Sequence, residues 1–185
     1  MGEHYYYGLT IDQDYREAKR YFEEAVLDLD DIAINLLGNI YRDGNDLEVD
    51  KEKAFESYKA AANLDNDDAM FNLATAHLLG EGTAKDESMA FFWMEKASHG
   101  LYLVEPLLEL SLMYRDGIGK ESNPEKALEY LELAADAGLA EASFMFAKHL
   151  LETSEDKADM KYAVDILVES VAEDYRDAIE FLENM

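Results

Sequence analysis

The sequence predicts an all-α fold made of a repeated pair of helices joined by a glycine-containing loop. Small residues recur at a constant spacing, the composition favours helices, and segments that alternate apolar and polar residues are scarce. With 185 residues, the chain is long enough for one ordinary domain or a short repeat array. Apolar residues make up 49% of the chain, which is too many for a disordered protein.

Two independent series of residues establish the period. The first series, spaced by 36, 36, 37 and 36 residues, consists of Ala18, Ala54, Ala90, Ala127 and Ala163. The second series, spaced by 36, 37, 36 and 36 residues, consists of Ala33, Ala69, Pro106, Ala142 and Ala178. Both series place one extra residue between Ser98 and Pro106. Repeats of this length are helical pairs that bury their apolar faces only by stacking on their neighbours.

Each unit consists of a first helix, a loop, a second helix and a short turn. Thirteen residues before the alanines of the first series stand Tyr5, Tyr41, His77, Tyr114 and Leu150. Ten residues before them stand Gly8, Gly44, Gly80, Gly117 and Thr153. A glycine at this place can adopt the positive φ that ends a helix. Asp31, Asp67 and Asn123 are expected to cap helix starts, with Pro124 in a first turn.

The motifs resemble those of the Sel1-like repeat family. Leu110-Ser111-Leu112-Met113-Tyr114-Arg115-Asp116-Gly117-Ile118-Gly119 resembles the first half of that repeat, and the segment 125–138 resembles the second half. In the preceding unit, Trp93 occupies the tryptophan position of the family, and Lys96-Ala97 follows at the family's spacing. The resemblance covers nearly the whole chain. It implies a right-handed α/α solenoid of helix-turn-helix repeats, related to tetratricopeptide repeats.

The predicted organisation is a single repeat domain over residues 1–185. It comprises a half repeat (1–29), four full repeats (30–66, 67–102, 103–139 and 140–174) and a capping helix (175–185). The opening half repeat is expected to lack its leading helix. In the last full repeat, Leu150 and Thr153 replace the family's tyrosine and glycine, so a loop of different shape is expected there. The last helix is expected to be polar on its outer face, with Asp177, Glu180, Glu183 and Asn184.

The charge and composition exclude several classes of function. Lys and Arg number 16 and Asp and Glu 42, so the formal net charge of −26 disfavours nucleic acid and anionic membrane surfaces as partners. The charge favours a basic partner, or it only maintains solubility. The absence of cysteine excludes disulfides, zinc–thiolate sites and thiol catalysis. We see neither a signal peptide nor a membrane-spanning apolar run, so a cytoplasmic protein is expected.

No group of residues meets the requirements of a catalytic, cofactor or metal site. His77 stands at a packing position, and His4, His99 and His149 lack the spacing of metal ligands. The glycines at 80–82 and 117–119 follow no strand and lack the full phosphate-loop motif. Residues 43–46 resemble part of a calcium loop without its later ligands. We therefore expect no cofactor, no metal and no enzymatic activity.

The resemblance to tetratricopeptide arrays implies that the first helices line a concave groove. Helical spacing from the anchors Leu37, Leu73, Leu110 and Phe146 projects twelve residues into it. They are Asn35, Asn39, Arg42, Phe71, Thr75, Leu78, Leu108, Leu112, Arg115, Phe144, Lys148 and Leu151. This surface is mainly apolar, and most carboxylates fall on second helices and loops. Exposed apolar patches usually mark contact sites, although some of these side chains could instead belong to the core between repeats.

Two functions are compatible with the sequence. The first is an adaptor that holds a peptide or helix of another protein in the groove. The second is an inhibitor or bacterial immunity protein whose acidic surface covers a basic enzyme such as a nuclease. An enzyme is a distant third because no site satisfies the geometric criteria for catalysis.

Overall fold

The computed structural model describes residues 1–45, 47–100, 104–172 and 175–183. These residues form eleven α-helices and no β-strand, which confirms the predicted all-α class. The chain divides into two compact units, Met1–Leu103 and Val104–Met185, called here the N-terminal and C-terminal units. The predicted repeat boundary at 102/103 and residues Asn184 and Met185 lie outside the described part of the chain, and the boundary at 174/175 adjoins a gap.

Six helices and one 3₁₀ turn build the N-terminal unit. They are α1 (Gly2–Tyr7), α2 (Tyr15–Ala25), the turn Val26–Asp28, α3 (Asp31–Asp43), α4 (Lys51–Ala62), α5 (Asp67–Leu79) and α6 (Glu87–Ala97). The expectation that the first repeat lacks its leading helix is wrong. The short helix α1 occupies that place and ends at Gly8, whose φ of 66° is left-handed.

Five helices build the C-terminal unit. They are α7 (Glu105–Asp116), α8 (Pro124–Asp136), α9 (Ala140–Thr153), α10 (Lys157–Ala172) and α11 (Arg176–Glu183). Odd-numbered helices are the first helices of their repeats, and even-numbered helices are the second. Within each unit, a first helix packs against the second helix of its own repeat. That second helix then packs against the next first helix, as in α3, α4 and α5.

Most helices begin with a side-chain cap. In two helices, the capping residue stands one position before the residue that the sequence suggests. Asp30 and Asn66 cap α3 and α5 by accepting hydrogen bonds from Ala33 N and Ala69 N. Asp31 and Asp67, which were predicted as caps, are the first helical residues instead. Their carboxylates therefore lie beside the helix N-terminus, where negative charge is favourable. Asn123 caps α8 as predicted, and Pro124 follows it at the first helical position.

The loop after α9 differs from the others, as the sequence predicts. The helices α3, α5 and α7 end at glycines with φ between 71° and 75°. The helix α9 ends instead at Ser154, whose backbone is extended with φ −95°. Its hydroxyl donates a hydrogen bond to Asp159 Oδ2 at 2.7 Å. Serine adopts the extended conformation without strain. The loop between α9 and α10 consists of only three residues, 154–156.

At equivalent positions of the repeats, the first helix carries a small residue and the second helix a large one. The two residues are in direct contact at Gly2 with Phe22 and at Gly38 with Tyr58. The small series is Gly2, Gly38, Ala74, Ser111 and Ala147, and the large series is Phe22, Tyr58, Met94, Leu131 and Leu167. All ten residues are buried. Where the small residue is glycine, the two backbones approach closely and the large side chain fills the space between them.

Candidate functional site

In the N-terminal unit, the six predicted groove residues lie on α3 and α5. Asn35 is buried, with 5% of its surface exposed. The other five are half-buried: Asn39, Arg42, Phe71, Thr75 and Leu78. Asn35 therefore belongs to the interior, as the alternative interpretation of the sequence allowed, and the remaining residues reach the surface only in part.

In the C-terminal unit, the six predicted groove residues differ more strongly in their exposure to solvent. Leu108 is 6% exposed and lies in the apolar core with Leu131 and Phe146. Arg115 and Lys148 are exposed. The rest are half-buried: Leu112, Phe144 and Leu151. Leu108 thus stabilises the unit and is not available as a contact residue.

A chain of polar side chains crosses from α3 to α5 in the N-terminal unit. Asn72 Nδ2 donates to Asn35 Oδ1 at 3.0 Å, and Arg42 Nη1 donates to Asn72 Oδ1 at 3.4 Å. Asn72 was not among the predicted groove residues, because it does not stand at one of the three spacings from the anchor Leu73 that were used to project the groove. Its amide couples two adjacent repeats through groups that would otherwise be desolvated without a partner.

Arg42 also forms a two-pronged ion pair with its neighbour Asp43. Its Nε lies 2.7 Å from Asp43 Oδ1, and Nη2 lies 2.9 Å from Oδ2. The hydrogen bond with Asp43 raises the pKa of Arg42, so the guanidinium stays charged. Because the Asp43 carboxylate already binds the guanidinium of Arg42, Arg42 can donate directed hydrogen bonds to a partner but adds little net charge to the surface.

Tyr58 lies beneath this polar chain. Its hydroxyl donates a hydrogen bond to Asn39 Oδ1 at 2.9 Å, and burial raises the pKa of the phenol. Tyr58 and Phe55, with Arg42 and Asn72, line a recess of about 30 Å³ between α3, α4 and α5. We call this space the N-terminal recess. It has room for about one water molecule.

A second recess lies at the repeat-equivalent place in the C-terminal unit. We define the C-terminal recess by Arg115, Ala127, Leu128, Leu131, Met145 and His149, between α7, α8 and α9. Each of these residues stands 73 positions after a residue that lines the N-terminal recess. Its volume is about 200 Å³, so the same architectural position is nearly filled in one unit and open in the other.

The exterior of both units is acidic. Fewer than a third of the 42 carboxylates belong to first helices, so second helices and loops carry the rest. Most of the lysines and arginines that form ion pairs do so with carboxylates one to four residues away, as in Lys53 with Asp50 and Lys148 with Glu152. Such exposed local pairs leave the net negative charge of the surface in place and contribute little to stability.

Among the described residues, no group of three or more histidine or carboxylate side chains is arranged to hold a metal ion. His77 packs edge-on against Phe55, with ring centroids 5.2 Å apart, and burial lowers its pKa. The described helices are all too short or too polar to span a membrane. The features of the described residues that could serve binding include the two recesses and the polar chain from α3 to α5.

A family model described as the Sel1 repeat matches residues 1–27, 31–66, 67–100 and 107–139. A crystal structure of a Sel1 repeat protein from Oxalobacter formigenes aligns with a TM-score of 0.79 at 24% identity. That alignment covers 92% of this chain and 70% of the other. The cysteine-rich protein B of Helicobacter pylori aligns with a TM-score of 0.54 at 23% identity, over 73% and 96% of the two chains. These structures establish the solenoid fold.

Two regulatory proteins have a higher sequence identity to this chain than these structures do, over a shorter aligned segment. An exopolysaccharide production negative regulator of Rhizobium meliloti is 32% identical over 114 residues, covering 55% of this chain and 42% of its own. Chitin synthase regulatory factor 3 of Schizosaccharomyces pombe is 33% identical over 104 residues, covering 54% and 11%. The chain thus spans less than half the length of either relative. With four repeat matches across most of its length, it belongs to the Sel1 repeat family, whose members are protein-interaction and regulatory modules.

Proposed function

We propose that this protein is a non-catalytic adaptor that holds a peptide or helix of a partner protein against its first helices. The observation that carries the proposal is the recurrence of a recess at the same repeat position in both units. Half-buried apolar residues and polar groups lie beside these recesses. Such a surface suits a segment that combines apolar anchors with backbone hydrogen bonds.

The twelve predicted groove residues need refinement as contact residues. Asn35 and Leu108 are buried, so we assign them to the supporting core. We propose contact with the partner for the other ten: Asn39, Arg42, Phe71, Thr75, Leu78, Leu112, Arg115, Phe144, Lys148 and Leu151. The absence of cysteine is consistent with the reducing cytoplasm, where we propose that the protein acts.

Selection of peptides from a random displayed library, followed by affinity measurement with the purified full chain, tests the adaptor function. We expect Phe71→Ala to weaken binding of the selected peptides about tenfold or more, as for a central apolar anchor. The helical circular dichroism signal should be retained, because Phe71 is only half-buried. Phe92→Ala is the matched control, since Phe92 is 44% exposed on the second helix α6. A library that yields no binding peptide would argue against the adaptor.

The second candidate is an inhibitor that neutralises a basic enzyme, and the net charge of −26 favours it. Its signature is an association rate with the basic protein that falls steeply as salt increases. Reversing the charge of the exposed Glu52 and Glu56 on α4 should slow that association. Phe71→Ala should leave it unchanged. A gene encoding a basic toxin beside the gene of this protein would support this candidate over the adaptor.

A further inference from the structure

The two recesses differ in volume, and two of the differences between their linings replace an aromatic residue by leucine. Phe55 and Tyr58 fill the N-terminal recess, and Leu128 and Leu131 stand in their places in the C-terminal recess. An aromatic ring at each position is replaced by a branched aliphatic side chain with fewer atoms. The volume is about 30 Å³ in the N-terminal recess and about 200 Å³ in the C-terminal recess. An apolar cavity of about 150 Å³ is large enough to bind benzene.

The residue opposite Tyr58 explains why leucine, and not tyrosine, stands at the equivalent position 131 of the C-terminal recess. A Cβ atom at Gly38 would lie 2.6 Å from Cε1 of Tyr58, so the tyrosine ring requires glycine below it. The equivalent residue in the C-terminal unit is Ser111, which is buried and lines the same recess as Leu131. Serine and leucine form a matched pair, and together they leave the recess open to an outside group.

The lining of the C-terminal recess indicates the chemistry of its guest. The side chains of Leu128, Leu131 and Met145 present apolar surface, and methionine adapts well to an aromatic ring. Arg115 at the recess is engaged by Asp116, with Nε 2.8 Å from Oδ1 and Nη2 2.8 Å from Oδ2. The cation is therefore neutralised locally, and the recess favours an uncharged ring over a carboxylate.

The charges around the recess indicate what flanks that ring. Exposed Glu125 and Glu129 stand on α8, which contributes Leu128 and Leu131 to the lining. The sequence of the C-terminal unit contains 20 acidic and seven basic residues. A partner segment with positive charges beside its ring would be attracted to this surface, and one with negative charges would be repelled.

We propose that the C-terminal recess binds an aromatic side chain of a partner protein segment that carries lysine or arginine beside the aromatic residue. This inference rests on the proposed adaptor function and specifies its anchor. The ring inserts against Leu128 and Met145, in the space that Phe55 and Tyr58 occupy in the N-terminal unit. The flanking cations remain at the surface, near the carboxylates of α8.

The test uses the full chain and a short synthetic peptide with one phenylalanine between two pairs of lysines. NMR signals of the methyl groups of Leu128, Leu131 and Met145 should shift with peptide concentration and saturate. Replacing the phenylalanine by alanine, or the lysines by glutamates, should weaken binding about tenfold or more. Equal shifts with the alanine peptide would overturn the aromatic anchor.

Leu128→Phe is the decisive variant, because it gives the C-terminal recess the phenylalanine that stands at the equivalent position 55 of the N-terminal recess. It should weaken binding of the peptide about tenfold or more, while Leu133→Phe should not. Leu133 lies on the same helix and is 46% exposed, so it controls for the added ring. A second variant, combining Ser111→Gly, Leu128→Phe and Leu131→Tyr, reproduces the N-terminal packing if the single substitution reduces helicity.

The outcome separates this inference from the proposed function. If peptides selected from the random library bind both the original chain and Leu128→Phe equally well, the anchor is overturned and the adaptor function stands. If the library yields no peptide and the phenylalanine peptide moves no methyl signal, both are overturned.

Discussion

Gly38 on α3 lies directly against the ring of Tyr58 on α4, so that a Cβ atom on Gly38 would stand 2.6 Å from Cε1 of the ring. Tyr58 is 3% exposed and its hydroxyl is bonded to Asn39, so a displacement of the ring would disturb buried packing and this hydrogen bond. We predict that Gly38→Ala lowers the free energy of unfolding by about 1 kcal/mol or more. Overpacking of about 1–3 kcal/mol exceeds the gain in helix propensity.

Substituting leucine for Tyr58 provides the control for this prediction. With Leu at position 58, as at Leu131 of the C-terminal unit, Gly38→Ala should raise stability by up to about 1 kcal/mol. The contacts with the tyrosine ring are then removed, and the gain in helix propensity outweighs the milder contact with Ser57 Cβ at 3.3 Å. Urea unfolding followed by circular dichroism measures both backgrounds. Stabilisation by Gly38→Ala with Tyr58 present would contradict the predicted clash.

Leu29 adopts a left-handed backbone conformation with φ 57°. The repeat-equivalent residue in the C-terminal unit is Gly138, with φ 88°, and glycine takes this conformation without a steric penalty. Leu29 is 66% exposed and contributes little burial. We predict that Leu29→Gly raises stability by about 0.5–1 kcal/mol, because the left-handed penalty of leucine exceeds the backbone entropy that glycine loses.

The neighbouring substitution Asp28→Gly tests the specificity of that effect. Asp28 lies in the 3₁₀ turn with an ordinary negative φ, so glycine there should lower stability by up to about 1 kcal/mol. Thermal unfolding of the two variants under identical conditions gives the comparison. A loss of stability in both variants would show that Leu29 is not strained.

Asn66 links two repeats with one amide group. Its Oδ1 accepts from Ala69 N at 2.8 Å, and its Nδ2 donates to Asp31 Oδ2 at 2.8 Å. We predict that Asn66→Ala lowers the free energy of unfolding by about 1–2 kcal/mol, because a buried helix cap is lost. Asn66→Ser should cost less, since it retains the cap oxygen. Alanine at the exposed Asn63 should change stability by less than about 0.5 kcal/mol in urea unfolding.

Glu109 on α7 makes the folding stability of the chain depend on pH. Burial raises its pKa above the ordinary 4.5, and the carboxylate of Glu141 raises it further. The folded chain therefore prefers protonated Glu109. This contribution to stability is full below the pKa of the unfolded chain, and it is lost as the pH rises through the higher folded pKa.

Substituting glutamine for Glu109 should remove this loss. Glu109→Gln should be more stable than the original chain at neutral pH, and the difference should shrink as the pH falls towards 4.5 and below. Urea midpoints measured across this range check the prediction. Glu105→Gln, on the exposed side of the same helix, should show a smaller dependence. A difference that grows on acidification would contradict the assigned direction.

Much of this architecture follows from residue spacing alone. The alanine series fixed the period, and the glycine series located the loops, because a positive φ recurs at the same place in every repeat except the one that contains α9. The altered loop after α9 followed from Thr153 and the polar residues after it. The caps of α3 and α5 were misplaced by one residue, since adjacent polar residues compete for the cap and only backbone geometry selects one of them.

The groove could be projected only in part. Helical spacing correctly places residues on the first helices, but it cannot distinguish a side chain that reaches the surface from one that contacts the next repeat. Leu108 and Asn35 are of the second kind. Asn72, which bonds to Asn35, became visible only when α3 and α5 were placed side by side.

The sequence by itself determined the repeat period, the all-α class and the family, because these depend on local periodicity that repeats along the chain. It missed the short leading helix α1. The tertiary structure decided which side chains meet between helices and how much space they leave. Gly38 with Tyr58 and Ser111 with Leu131 occupy equivalent positions, but only their packing shows that one recess is filled and the other open. The physical reason is that the volume of a recess depends on several side chains from three helices at once.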